Sequence, residues 1–175
     1  MIILGIDPGT AITGYAIIKT NIPKHLPQDR NEKPKVIDFG CITTHSSGLP
    51  GNRLVIIHEE INKLIDKHRP DIISVESLYF FKNLKTAMPV SQAKGVILLA
   101  AAQKNIPRIE FTPLQVKMTV VGYGRAEKKQ VQEMTKQLLD LSLFDHQEKN
   151  RKKDDAADAL GIALCAILHR PLQGV

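Results

Sequence analysis

A mixed α/β sheet flanked by helices is the fold class predicted for this chain, and three observations predict it. Short runs of β-branched and apolar residues end at turns or acids. Between them, apolar residues recur at helical spacing. The first three runs are joined by short returns, whereas the later ones are separated by helices. Five strands and their covering helices follow. The 175 residues, 43% hydrophobic and 24% charged, suit one compact domain over 1–175 rather than a disordered chain, because roughly 150 residues already bury about two-thirds of their extended surface.

Ile2 to Ile6 reads as a strand buried on both faces, turned at its end by Asp7-Pro8-Gly9-Thr10. Thr13 to Lys19 and Val36 to Thr44 complete an antiparallel meander with it. Asn21 to Lys35, with three prolines and mixed charges, reads as an extended, mobile hairpin loop. From Asn52 to His68, Leu54, Ile57, Ile61, Leu64 and Ile65 mark an amphipathic helix stopped by Pro70. Asp71 to Glu76 is the fourth strand, ending on a second acid. Ala87 to Gln103 is a helix whose Ala93, Gly95, Ala100, Ala101 and Ala102 permit close packing, with Pro89 interrupting its start. Ile106 to Phe111 is the fifth strand. Thr112-Pro113 caps a short helix running to Val121, which Gly122-Tyr123-Gly124 breaks. A helix over Ala126 to Leu141 presents Val131, Met134 and Leu138 on one side. Ser142 to Lys153 is a charged connection, and the last helix starts near Asp154 or Asp155 and ends by Arg170.

With 24 Lys+Arg against 18 Asp+Glu, the net charge of +6 favours a polyanionic partner. Cys41 and Cys165 match no zinc or redox spacing and read as buried free thiols, in keeping with a reducing compartment. The apolar N-terminal run stops at Asp7, too soon for a signal peptide, and Gly95 to Ala102 is far shorter than the ~20 residues of a membrane span. A soluble cytoplasmic protein is the expectation.

Four carboxylates lie at element ends. Asp7 and Glu76 close strands that are neighbours in such a sheet, and Asp155 and Asp158, spaced i and i+3, share one face of the last helix. Clustered acids raise their own pKa values unless a cation neutralises them, so a hard metal such as Mg²⁺ or Mn²⁺ is the natural occupant. Two such ions, about 4 Å apart, serve to activate water on one side of a phosphodiester and to stabilise the leaving oxygen on the other. Singly these acids also have plainer readings: an Asp-Pro-Gly turn is common, acids in a first helical turn cap backbone N–H groups, and Glu76 alone decides nothing.

Six segments, in order, carry a resemblance: Ile3 to Thr10 with Thr13-Gly14-Tyr15; Val75-Glu76; Gln92 to Val96; Val116 to Gly122; Ala126 to Val131; and Asp155 to Leu160. Over nearly its whole length the chain resembles the RuvC family of Holliday junction resolvases. The resemblance implies a ribonuclease-H-like fold, a homodimer, Mg²⁺- or Mn²⁺-dependent nicking of two opposed junction strands, and cooperation with the RuvA and RuvB branch-migration proteins. It places the four acidic ligands on Asp7, Glu76, Asp155 and Asp158, with Asp154 one residue early as either a cap or the ligand in place of Asp155. It sets Lys117 and Lys128 near the scissile strand, where a lysine can clamp a phosphate. The family's aromatic wedge falls on Tyr79 or Phe80, beside Lys82, in the run Tyr79-Phe80-Phe81-Lys82-Asn83, and exposed aromatics there stack on unpaired bases. Arg125, Lys129, Lys136, Arg151, Lys152 and Lys153 are further cations on a possible phosphate path. Three departures from the family pattern are the Asn21 to Lys35 insert, Pro89, and the long basic connection Ser142 to Lys153.

Other classes stay open on sequence alone. A ribonuclease-H-like enzyme acting on RNA has the same acids, and a non-catalytic junction-binding protein has the same charge. A sugar-kinase-like ATPase shares the Asp7-Pro8-Gly9-Thr10 turn but needs two such domains, and this chain has room for one.

Overall fold

The computed structural model describes residues 1–21, 33–77, 84–142 and 153–169. The elements run β1 (Ile2–Asp7), β2 (Ile12–Lys19), β3 (Lys35–Thr43), α1 (Pro50–His68), β4 (Ile72–Glu76), α2 (Leu84–Gln103), β5 (Arg108–Phe111), α3 (Pro113–Val121), α4 (Lys128–Leu138) and α5 (Lys153–Leu168). The predicted order of strands and helices is reproduced.

The five strands form one sheet in the order β3-β2-β1-β4-β5. β1 pairs antiparallel with β2 and β2 with β3, while β1–β4 and β4–β5 are parallel. The mixed character follows from the connections: short returns make antiparallel neighbours, and helical crossovers make parallel ones. Alternation along β1 sends side chains to two separate cores. Leu4 and Ile6, with Ile73 and Val75 of β4, pack under α1 and α2 against Ile57, Ile61, Ala93, Ile97, Ala100 and Ala101. Ile3, with Ala16, Ile18 and Phe111, packs under α3 and α5 against Val116, Val120, Ala159, Ile162, Ala163 and Cys165.

Several boundaries differ from the expectation, each for a local reason. α2 begins at Leu84 and so contains Pro89, which forgoes a single helical hydrogen bond without ending the helix. Of its small residues, Ala93, Ala100 and Ala101 pack inside the chain's own core, whereas Gly95 and Ala102 are exposed. β5 starts at Arg108 because Ile106 is still tied to α2, its N–H donating to the Ala101 carbonyl at 3.0 Å, and Pro107 follows. α4 spans only Lys128–Leu138, since Leu139 is extended and Asp140 then runs beside β3: Val36 N–H donates to Asp140 O at 3.0 Å, and Asp140 N–H to Pro34 O at 2.9 Å. Cys165 is buried as expected, and burial pushes its thiol up to about 12 against an opposing hydrogen bond with Thr119. Cys41, expected to be buried, is only half-buried because β3 is a sheet edge. The hairpin expected over Asn21 to Lys35 and the connection Ser142 to Lys153 lie largely outside the described residues.

α3 shows how sequence fixes an element. Thr112 accepts from the Gln115 N–H at 3.2 Å, the Gln115 side chain accepts from the Thr112 N–H at 2.8 Å, and Pro113 opens the first turn. Gly122, at φ 79, ends it with a left-handed cap.

Candidate active site

Asp7 and Glu76 are brought together by register. Gly5 pairs with Ser74 and Ile6 with Val75 in the parallel β1–β4 ladder, so the next pair places the two acids side by side where both strands end. Period-two alternation puts Gly5, Asp7, Ser74 and Glu76 on the face that α5 covers. α5 is seated on the same residues. Ser74 Oγ donates to the Ile162 carbonyl at 2.8 Å in the buried interior. A Cβ on Gly5 would collide with the Ala159 carbonyl and stand 2.6 Å from Ala163 Cβ, so only glycine lets the helix lie this close. Asp158, the neighbour of Ala159, is thereby held over the paired strand tips.

The turn after Asp7 is stapled. Thr13 Oγ1 donates to Gly9 O at 2.5 Å, Thr44 Oγ1 donates to Thr10 O at 2.5 Å, and Arg53 Nε donates to Thr44 Oγ1 at 2.8 Å. A Cβ on Gly9 would strike the Ile12 carbonyl, so the tight turn requires glycine.

Asp7, Glu76, Asp158 and Lys128 lie close enough to act on one another. Burial raises the Glu76 carboxyl above its usual value, and the charge of Asp158 raises it further; a hydrogen bond with Asp7 and the charge of Lys128 pull the other way. Two carboxyl groups within hydrogen-bonding distance need a shared proton or a cation between them. Lys128, the first residue of α4, supplies one positive charge: its Nζ lies 2.6 Å from Asp158 Oδ2. Hard oxygen donors in this number fit a divalent cation of the Mg²⁺ class. Among the described residues, no three His, Cys, Asp or Glu side chains are grouped closely enough to hold a metal ion.

The predicted site residues fall into three groups. Asp7, Glu76, Asp158 and Lys128 are together. Lys117 is half-buried on α3, and among the described residues no ion pair ties it to these acids. Asp154 and Asp155 lie in the first turn of α5, but their side chains, like all of Tyr79, Phe80 and Lys82, lie outside the described residues. Sequence reasoning did not single out Gly5 or Ser74. Their signal was a small residue two places before each strand-end acid, and only the crossing helix gives it meaning.

With this geometry in place, similarity to known proteins is decisive. Residues 3–166 match the family described as Crossover junction endodeoxyribonuclease RuvC. The chain belongs to the RuvC family. It is 49% identical over 165 residues to the Crossover junction endodeoxyribonuclease RuvC of Ruminiclostridium cellulolyticum, covering 94% of this chain and 90% of that one. To the RuvC of Alkaliphilus metalliredigens it is 50% identical over 165 residues, covering 94% and 92%. The fold is similar to that of Thermus thermophilus RuvC in complex with a Holliday junction substrate, with a TM-score of 0.81, 27% identity, and 96% of this chain and 93% of that chain covered. RuvC relatives of such similarity establish the ribonuclease-H-like arrangement and the nuclease class.

Proposed function

We propose that this chain resolves Holliday junctions, cutting two opposed strands by metal-dependent hydrolysis of the phosphodiester bond. The observation that carries the reading is the meeting of Asp7 and Glu76, hydrogen-bonded at the ends of adjacent parallel strands, beneath Asp158 and Lys128. Asp7, Glu76, Asp155 and Asp158 would hold the cations, Mg²⁺ or in its place Mn²⁺, two per site with substrate bound. Bound there, such cations would supply Lewis-acid charge at the phosphate and lower the pKa of an attacking water. No covalent protein nucleophile is needed.

The remaining roles belong to side chains. Lys128 releases Asp158 and takes a phosphate oxygen of the scissile strand, and Lys117 holds a neighbouring phosphate. Tyr79 or Phe80 stacks on a base opened at the crossover, with Lys82 on its backbone. The chain acts as one domain over 1–175 and as a homodimer, whose two sites suit paired nicking of a two-fold substrate. Support for a dimer comes from the apolar residues left exposed on α1 and α2: Val55, Ile56, Met88 and Leu99. RuvA and RuvB are the expected partners, in the cytoplasm. No helix among the described residues is long and apolar enough to cross a membrane.

Asp7→Asn tests the reading. It removes a charged ligand while preserving shape, so junction binding should persist while Mg²⁺-dependent cleavage falls about 10³-fold or more, equivalent to several kcal/mol of lost charge stabilisation. The check is single-turnover cleavage of a four-way junction beside structured RNA. Cleavage retained by the variant, or wild-type cutting confined to the RNA, contradicts the assignment.

A further inference from the structure

Three large apolar side chains are exposed in one short stretch of α3 and the turn after it: Leu114 at 59%, Met118 at 51% and Tyr123 at 56%. Leu114 and Met118 are one helical turn apart and share a face. The turn folds back over that face, because a Cβ on Gly124 would lie 2.6 Å from Leu114 Cδ1 and 3.4 Å from Met118 Sδ. The surface formed by the helix face and the turn is therefore continuous.

The turn has a fixed shape. Gly122 takes φ 79 and donates its N–H to the Met118 carbonyl at 3.0 Å, Ala126 donates to the Tyr123 carbonyl at 3.1 Å, and Ala126 is buried. The Tyr123 side chain is thus presented on a rigid corner, with no hydrogen bond or ring partner of its own among the described residues. Its surroundings are cationic. Lys117, Arg125 and Lys129 form no ion pair among the described residues, Lys128 reaches into the acid cluster, and the sole acid of the 117–129 stretch is Glu127.

Distance follows from the backbone. The turn closed between Tyr123 and Ala126 spans less than about 7 Å, and two more residues reach Lys128, so the Tyr123 backbone stands within about 15 Å of the Lys128 backbone. That is a few nucleotides of strand. An apolar, aromatic surface rimmed with cations beside a phosphodiester-cleaving site has the composition that binds unpaired nucleic acid: cations follow the backbone, and the ring offers a face to any base. An acidic or purely apolar protein partner satisfies only half of it.

We propose that Tyr123, backed by Leu114 and Met118, is a stacking platform for an unpaired nucleobase of the cleaved strand, a few nucleotides from the scissile phosphate. The inference rests on the junction-resolving reading and adds a base-holding subsite to it. The platform sits on the α3–α4 corner and involves none of the aromatics Tyr79, Phe80 and Phe81.

The test compares wild type, Tyr123→Ala and Tyr123→Phe on a four-way junction carrying 2-aminopurine beside the scissile phosphate, and on intact duplex. Thermal unfolding confirms that the exposed substitutions leave the fold intact. Tyr123→Ala should weaken junction binding about 5- to 100-fold relative to duplex, with the slope against log salt unchanged because no cation is lost. It should also leave the 2-aminopurine unquenched, while Tyr123→Phe behaves as wild type. Equal binding by wild type and Tyr123→Ala overturns the inference, as does an equal loss on duplex or an effect confined to oligomeric state. Wild-type protein that leaves junctions uncut defeats the functional reading instead, a result distinguishable from these.

Discussion

Glu76 is desolvated next to two other acids, and its raised pKa has a direction that can be checked by unfolding. A carboxyl whose folded pKa lies above its unfolded value of about 4.5 binds a proton more tightly in the folded state. The cation-free protein therefore loses stability as pH climbs from that value through the folded pKa, and below it both states are protonated and the effect vanishes. Glu76→Gln should raise the melting temperature in chelator at neutral pH, leave it unchanged near pH 4, and abolish cleavage; a neutral-pH melting temperature below wild type would contradict the desolvation. Lys128 gives a companion prediction. Because its ammonium already lies against Asp158, Lys128→Met should tighten Mn²⁺ binding measured by calorimetry without DNA, even as it slows cleavage. At this scale the sequence was informative wherever an acid ended a strand, as at Asp7 and Glu76. The resemblance set Lys128 near the scissile strand, but its contact with Asp158 was not legible, because that depends on where α4 begins in space.

α5 is the element on which the site depends, since it carries Asp155 and Asp158 across strands that end in Asp7 and Glu76. Its close approach at Gly5 predicts that Gly5→Ala overpacks the interface, costing on the order of 3 kcal/mol. Melting temperature should fall roughly 6–12 °C, at about 2–4 °C per kcal/mol for a chain of this size, and cleavage should fall with it as Asp158 shifts. Gly161 is the contrast on the same helix: a Cβ there meets Thr135 Oγ1 at 3.5 Å and Val116 Cγ1 at 3.6 Å, ordinary contact distances. Gly161→Ala should therefore stabilise by up to about 1 kcal/mol through helix propensity, read as a rise in melting temperature with the junction activity kept. Element type was legible throughout, because periodicity is a local signal. Element ends were less so: the end of α4 is set by Asp140 bridging to β3, and the start of β5 by Ile106 bonding back to α2, and both contacts are made by residues far along the chain or in another element.

At the level of the molecule, two cores on opposite faces of one sheet hold two strand tips and a helix start at one end, and the net charge of +6 draws a polyanion to them. Junction affinity should fall linearly on a log–log plot against salt, and Lys117→Ala should reduce that slope by about one. An unchanged slope would remove Lys117 from the phosphate path. The sheet's mixed order followed from the alternation of short returns and helical crossovers in the sequence, whereas the separation of α5 from α1 and α2 onto different faces emerged only from the β1 and β4 registers. The most direct test of the account is a crystal of the wild-type protein saturated with Mn²⁺, read by anomalous scattering. A peak bound by the Asp7 and Glu76 carboxylates is expected, with Asp155 or Asp158 completing it and Lys128 displaced. A saturated crystal whose Mn²⁺ lies elsewhere, with Asp7 and Glu76 unligated, would contradict it.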